Sequence, residues 1–158
     1  MIIIILAAGK GNRLKKTLPK SFSYETKSLI PINNEPAIKR LINQFLKIKE
    51  KDILLLLGHQ YKSVLKVLND KEQVFVLNKN YERDSNLRSL FLGFEKIITE
   101  NIFNINEGVL VIEADCCFHS EILKKFLKHI KLIDSSKELK KKICWTTKGN
   151  AISKDSGG

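Results

Sequence analysis

The chain has 158 residues, 43% of them hydrophobic, and carries a formal charge of +11. That composition suits one globular domain with one core rather than a disordered chain, and no apolar run approaches the roughly 18–20 residues of a membrane-crossing helix. Three cysteines, two of them adjacent (Cys116 and Cys117), make a poor disulfide framework, so reduced thiols in a cytoplasmic protein are expected.

In chain order, strands and helices alternate. Ile2 to Ala8 is a continuous apolar run ending at Gly9, as a strand buried on both faces requires. No basic residue precedes it, which argues against a signal peptide. A polar stretch runs to about Lys27, then Ser28-Leu29-Ile30-Pro31-Ile32 leads into a turn through Asn33, Asn34, Glu35 and Pro36. Ile38, Leu41, Ile42, Phe45 and Leu46 recur at the spacing of one helical face. Ile53 to Leu57 is a second buried strand stopped by Gly58, Val64, Leu65 and Leu68 mark a short helix, and Val74 to Leu77 is a third strand. Leu87, Leu90, Phe91, Phe94, Ile97 and Ile98 trace another helical stripe, with Ser85 or Asn86 placed to cap it. Val109 to Ile112 is a fourth strand, running into Glu113-Ala114-Asp115. Ile122, Leu123, Phe126, Leu127 and Ile130 stripe a helix that Ser120 could cap, and Ile143 to Thr147 reads as a fifth strand. The polar tail from Lys148 to Gly158 has no pattern that would order it alone.

This alternation predicts an α/β fold: a mostly parallel, Rossmann-like sheet with helices on both faces, spanning residues 1–147, followed by the tail 148–158. Ligands of such sheets bind at the carboxyl ends of the strands, where Gly9, Gly58, Asn78 and Asp115 all fall.

The most informative stretch is Leu6-Ala7-Ala8-Gly9-Lys10-Gly11-Asn12-Arg13-Leu14. Its small residues let a ligand approach the strand end, and its backbone N–H groups could form a nest for phosphate oxygens. Arg13 adds a positive fork suited to a triphosphate. The dinucleotide fingerprint is excluded because its third glycine position is Leu14, and the Gly-Lys-Ser/Thr spacing of a Walker A loop is absent. A plain glycine turn remains the competing explanation of two glycines alone. The basic charge suits anionic partners, but dispersed lysines without interleaved aromatics describe a solvated surface better than a nucleic-acid footprint, so no nucleic-acid partner is expected.

Leu6 to Leu14 resembles the LAAGxGxR signature of sugar-phosphate and related nucleotidyltransferases. Lys27-Ser28-Leu29-Ile30-Pro31-Ile32 followed by Glu35-Pro36 resembles that family's lysine segment before its first long helix, and Val111 to Asp115 resembles its metal-binding strand end. Tyr81 to Leu90, with Asn86, Ser89 and Leu90, is similar to the N-x-x-S-L stretch of the choline-phosphate and phosphonate cytidylyltransferase branch. The order of these segments agrees over residues 1 to about 130. The resemblance implies a nucleotide-diphospho-sugar transferase-like fold and transfer of a nucleoside monophosphate, CMP from CTP favoured, to a phosphorylated small molecule such as phosphocholine or a sugar 1-phosphate, with release of pyrophosphate. It implies that Leu6 to Arg13 bind the nucleotide, with the loop Ala8 to Arg13 holding the triphosphate, and that Lys27, rather than Lys20, is the cation beside the α-phosphate, with Arg13 assisting. It further implies that Asp115 holds Mg²⁺ and that Gly58, Asn78, Asn86 and Ser89 contact the nucleotide or acceptor. Asp115 as a cap, and Asn86 and Ser89 as a helix start, are the structural alternatives. Members of the family are usually longer, their later half supplying the acceptor pocket and commonly a second metal-binding aspartate, so the resemblance implies either an apparently truncated version or an acceptor half supplied elsewhere. UTP- or dTTP-dependent sugar transfer, an inactive nucleotide-binding fragment and a basic nucleic-acid-binding module are the alternatives.

Overall fold

The computed structural model describes residues 1–17, 24–69, 74–83, 85–135, 145–147 and 150–152. Its elements are β1 (Ile2–Ala7), α1 (Asn12–Thr17), β2 (Pro31–Ile32), β3 (Glu35–Pro36), α2 (Ala37–Lys47), β4 (Ile53–Leu57), α3 (Tyr61–Val67), β5 (Val74–Leu77), α4 (Asn86–Glu100), β6 (Val109–Glu113), α5 (Ser120–Ser135), β7 (Trp145–Thr147) and β8 (Asn150–Ile152). They form two compact units, Met1–Phe118 and His119–Gly158.

The first unit is built on a four-stranded parallel sheet in the order β5-β4-β1-β6. The two inner strands, β1 and β4, are those whose sequences read as unbroken apolar runs. Ile2, Ile3, Ile4 and Ile5 are each 0% exposed, as burial on both faces demands. The chain steps from β1 outward to β4 and β5 through α2 and α3, then returns through α4 to the other side of β1. Parallel crossovers are right-handed, so this reversal puts α4 on the face opposite α2 and α3. The α4 face comprises Ile2, Ile4, Leu54 and Leu56 packed with Ile97, and Leu6, Val74, Val76, Val109, Leu90 and Phe94 lie against them.

α4 settles closer to the sheet than its large side chains suggest. A Cβ at Gly93 would stand 2.9 Å from Leu56 Cδ2, so the line of contact runs through Leu90, Gly93 and Ile97. Leu87, Phe91 and Ile98, expected on the buried stripe, are exposed because they lie beside that line. Ser85 does hold the cap position of α4, but its side chain makes no capping bond.

β2 and β3 form a two-residue hairpin. Asn33 and Asn34 both take positive φ, at 50° and 64°, the turn that suits the right-handed twist of the flanking strands. The amide of Ala37 then donates to the Ile30 carbonyl at 2.9 Å, fixing the entry to α2.

In the second unit, α5 is preceded by His119 rather than capped by Ser120, which is its first residue. The His119 carbonyl accepts from Ile122 and Leu123, and its Nδ1 accepts from the Glu121 amide. Leu123 and Leu127 are buried, whereas Ile122 and Phe126, expected on the same stripe, are exposed. Of the expected fifth strand, Trp145–Thr147 is strand and pairs antiparallel with Asn150–Ile152, so this piece of the polar tail is ordered by a partner rather than alone, while Ile143 lies outside the described residues.

Candidate functional site

The strand order switches at β1, with β4 on one side and β6 on the other, and the carboxyl ends of strands at such a switch are the usual ligand position in an open parallel sheet. The loop after β1 and the segment after β6 meet there. Leu6 is the register partner of Glu113, and the Leu6 carbonyl accepts from the Ala114 amide at 3.0 Å. On the other side, the Ala8 carbonyl accepts from the His59 amide at 2.9 Å. The strand ends are thereby stitched together before any side chain is considered.

Lys27 lies at the centre. It starts a one-turn 3-10 helix, and its neighbours Thr26 and Ser28 are fully buried, so the backbone beneath it is fixed. Its stem passes Gly11 so closely that a Cβ there would stand 2.9 Å from Lys27 Cβ; Gly11 also has φ +68°. Its Nζ lies 3.2 Å from Asp115 Oδ2 and 3.3 Å from Glu113 Oε2. Glu113 Oε1 in turn accepts from Asn86 Nδ2 at 3.2 Å. Four residues from the 3-10 turn, the end of β6, the segment after it and the start of α4 therefore form one chain of contacts: Asn86, Glu113, Lys27, Asp115.

The glycines divide by cause. A Cβ on Gly58 would come within 2.7 Å of both the Ala8 carbonyl oxygen and Tyr81 Cβ, so packing alone requires a glycine there. Among the described residues, a Cβ on Gly9 would meet no atom within 4 Å. The fold makes no such demand at Gly9, which leaves room for something that approaches the loop from outside.

Lys10 leaves this loop in the opposite direction. Its Nζ pairs with Glu82 Oε1 at 2.6 Å and lies 5.9 Å from the centre of the Tyr81 ring. Hydrogen bonding to Lys10 holds the Glu82 carboxyl below its ordinary range, and the same bond raises Lys10. His59 Nδ1 is 3.4 Å from the Tyr81 hydroxyl, with the rings 5.6 Å apart. Loops after β1, β4 and β5 are thus clasped together.

Asn78 and Ser89 do not present open side chains. They are 2% and 4% exposed, and Asn78 Nδ2 donates to Ser89 Oγ at 3.0 Å. Asn78 Oδ1 also accepts from the Asn80 amide, and the Asn78 amide donates to the Leu57 carbonyl. The side chain of Arg13, and Lys20 altogether, lie outside the described residues. Burial, and then the adjacent Asp115 carboxylate, push the half-buried Cys116 thiol up.

Among the described residues no group of three or more His, Cys, Asp or Glu side chains converges as a metal cage. The donors at the end of β6 are a carboxylate pair, Glu113 and Asp115, whose charge Lys27 offsets only in part. That donor set fits Mg²⁺, which takes one or two carboxylates and completes its shell with waters and phosphate oxygens.

Sequence reasoning missed Glu113, Tyr81 and Glu82. Glu113 carried a usable signal: it lies two residues before Asp115, and strand alternation puts such residues on one side. No helix among the described residues is long and apolar enough to cross a membrane.

Comparison with known proteins agrees with this architecture. The chain is 27% identical over 115 residues to the bifunctional protein GlmU of Wigglesworthia glossinidia brevipalpis. That match covers 73% of this chain but 23% of the relative. The CTP:phosphocholine cytidylyltransferase LicC of Streptococcus pneumoniae is similar at 28% identity and TM-score 0.51, over 76% of this chain and 49% of that one. A nucleotidyl transferase from Methanothermobacter (Mth528) shares the fold, with TM-score 0.62 and 19% identity over 80% of this chain and 56% of that one. The chain therefore spans about a quarter of the curated relative and about half of each solved structure. With residues 3–150 matching its pattern, the chain belongs to the MobA-like NTP transferase domain family.

Proposed function

We propose that this site binds a nucleoside triphosphate with Mg²⁺, CTP favoured, and transfers its nucleoside monophosphate to a phosphorylated small molecule such as phosphocholine or a sugar 1-phosphate, releasing pyrophosphate. The observation that carries this reading is the position of Lys27, with its stem against Gly11 of the β1 loop and its ammonium on the carboxylates at the end of β6. CTP is favoured by the Asn86-to-Leu90 segment and by the 28% identity to LicC, which acts on CTP and phosphocholine.

In the reaction a phosphate oxygen of the acceptor attacks the α-phosphorus, and the bond to the departing pyrophosphate breaks. Little covalent help is needed; catalysis rests on alignment and on countering the charge that builds on the phosphate oxygens. Backbone amides of the loop from Ala8 to Arg13 would receive the triphosphate, and Gly9 leaves it room. Lys27 would supply a compact positive charge beside the α-phosphate, with Arg13 as a second cation. Asp115 would hold Mg²⁺, which when bound neutralises phosphate charge. Asn78 and Ser89 would act from behind, bracing the loops that carry Gly58 and Asn86.

A thermal-shift panel of CTP, UTP, dTTP, ATP and GTP with Mg²⁺ tests the reading. A ligand at about 100 times its Kd raises stability by about 2.7 kcal/mol. CTP is expected to give the largest rise, and a flat response to all five would remove the proposal. A larger rise with UTP or dTTP would favour sugar transfer, the alternative raised by the shared glycine loop. Pyrophosphate release with phosphocholine, aminoethylphosphonate and hexose 1-phosphates then identifies the acceptor.

A further inference from the structure

The two carboxylates on Lys27 are not equivalent. Asp115 contacts Lys27 through Oδ2, whereas Glu113 spends one oxygen on Lys27 and the other on Asn86, the first residue of α4. Glu113 is also the last residue of β6, in register with Leu6 of the buried central strand, and that pairing turns it toward the α4 face. Asp115 lies two residues beyond the strand. Any cation drawn to Asp115 competes with Lys27 for that carboxylate, since both are positive. Glu113, anchored by a strand on one side and a helix on the other, has a separate hold on the ammonium.

We propose that Glu113 is a positioning residue: it keeps the Lys27 ammonium at the carboxyl end of β6 when Asp115 turns to another partner, and it ties that ammonium to α4 through Asn86. The proposal rests on the nucleotide reading above for its functional consequence, but not for the contact itself. Glu113 touches neither the nucleotide nor the reacting phosphorus in this scheme; it acts through Lys27.

Two measurements test it together. The first needs no nucleotide. Acetylation of lysines by an N-hydroxysuccinimide ester, followed peptide by peptide by mass spectrometry, reports how firmly each ammonium is held. Glu113→Ala is expected to speed labelling of Lys27 several-fold, while Lys96, paired with Glu100 on the exposed side of α4, stays unchanged as an internal standard. Glu113→Gln preserves the shape and can still accept from Lys27, so it is expected to lie between wild type and Glu113→Ala and covers the case in which the alanine variant folds poorly. Unchanged Lys27 labelling in both variants overturns the proposal.

The second is a double-mutant cycle on Mg·CTP affinity. Glu113→Ala is expected to weaken binding roughly threefold to tenfold, as for loss of one charge-assisted hydrogen bond. If Glu113 acts through Lys27, adding Glu113→Ala to Lys27→Ala causes no further loss. A full additive loss in the double variant would show that Glu113 serves the fold or the ligand directly, and the positioning role falls. Wild-type protein that ignores every nucleotide while Glu113→Ala still frees Lys27 would sink the nucleotide reading and leave the Glu113 anchor standing.

Discussion

At Lys27, a long flexible side chain is held at both ends: its stem by the close pass over Gly11, its head by Glu113 and Asp115. Lys27→Ala should lower pyrophosphate release by about 100-fold or more, the scale seen when a preorganised charge contact is removed. Its melting temperature should change by only a few degrees, since the pair is at the surface. Equal turnover in the variant and the wild type would place the chemistry elsewhere. The three loop glycines make a sharper contrast. Gly58→Ala forces a methyl into the Ala8 carbonyl and Tyr81, and should destabilise by about 2–3 kcal/mol in denaturant melts. Gly11→Ala combines positive φ with the Lys27 contact and should cost about 1–2 kcal/mol while displacing the lysine. Gly9→Ala should leave stability within about 0.5 kcal/mol yet impair nucleotide binding, because its methyl would occupy only the space outside the loop. Retained CTP affinity in Gly9→Ala would mean that the ligand does not approach there.

Between elements, the contacts that organise the site are polar and few. Asn78 and Ser89 fasten the end of β5 to α4 in a buried position. Ser89→Ala strands the Asn78 amide and should cost about 1–3 kcal/mol; Asn78→Ala in the same background should add less than its separate effect. The Lys10–Glu82 clasp joins the loops after β1 and β5 and responds to pH. Glu82 is depressed below 4.5, so its stabilising contribution is present above that pH and is lost as pH falls through its folded value. Lys10 is raised above 10.5, so its contribution is present below that pH and is lost as pH rises through its folded value. Melting curves of wild type and Glu82→Gln should therefore differ near neutrality, converge in acid, and converge sooner at high salt. The core strands were legible because β1 and β4 are apolar without interruption, a pattern with few other uses. The stripe of α4 was read too widely, since size and hydrophobicity point to Phe91 while the surface of contact is set by Gly93, which has no side chain to count. β7 falls inside the apolar run read as a strand, whereas β8, three residues long in a polar stretch, carried no periodic signal.

Across the whole first unit, the topology made the site partly legible. A switch in strand order beside β1, with β4 on one side and β6 on the other, is enough to bring the first loop and the end of β6 together, so the convergence of Gly11, Lys27 and Asp115 could be anticipated from motif order. The particular partners could not. Glu113 and Lys27 are 86 residues apart, and nothing local to either names the other. Lys10 and Glu82 likewise pair only because two loops share an edge. The burial of Asn78 and Ser89 was hidden for a related reason: they lie 11 residues apart, and nothing local to either names the other as its hydrogen-bond partner.

The ladder that pairs Leu6 with Glu113 has a mechanical corollary. The spacing between the first loop and the acidic end of β6 is set by the pairing of the buried central strand, not by the loops themselves. Sliding β6 by one residue would swing Glu113 to the far side of the sheet and dismantle the whole constellation at a stroke. Disassembly of the central strands and disappearance of Lys27 protection should therefore coincide at a single urea concentration, so that a simple labelling titration would report the integrity of the core and of its chemistry in one curve.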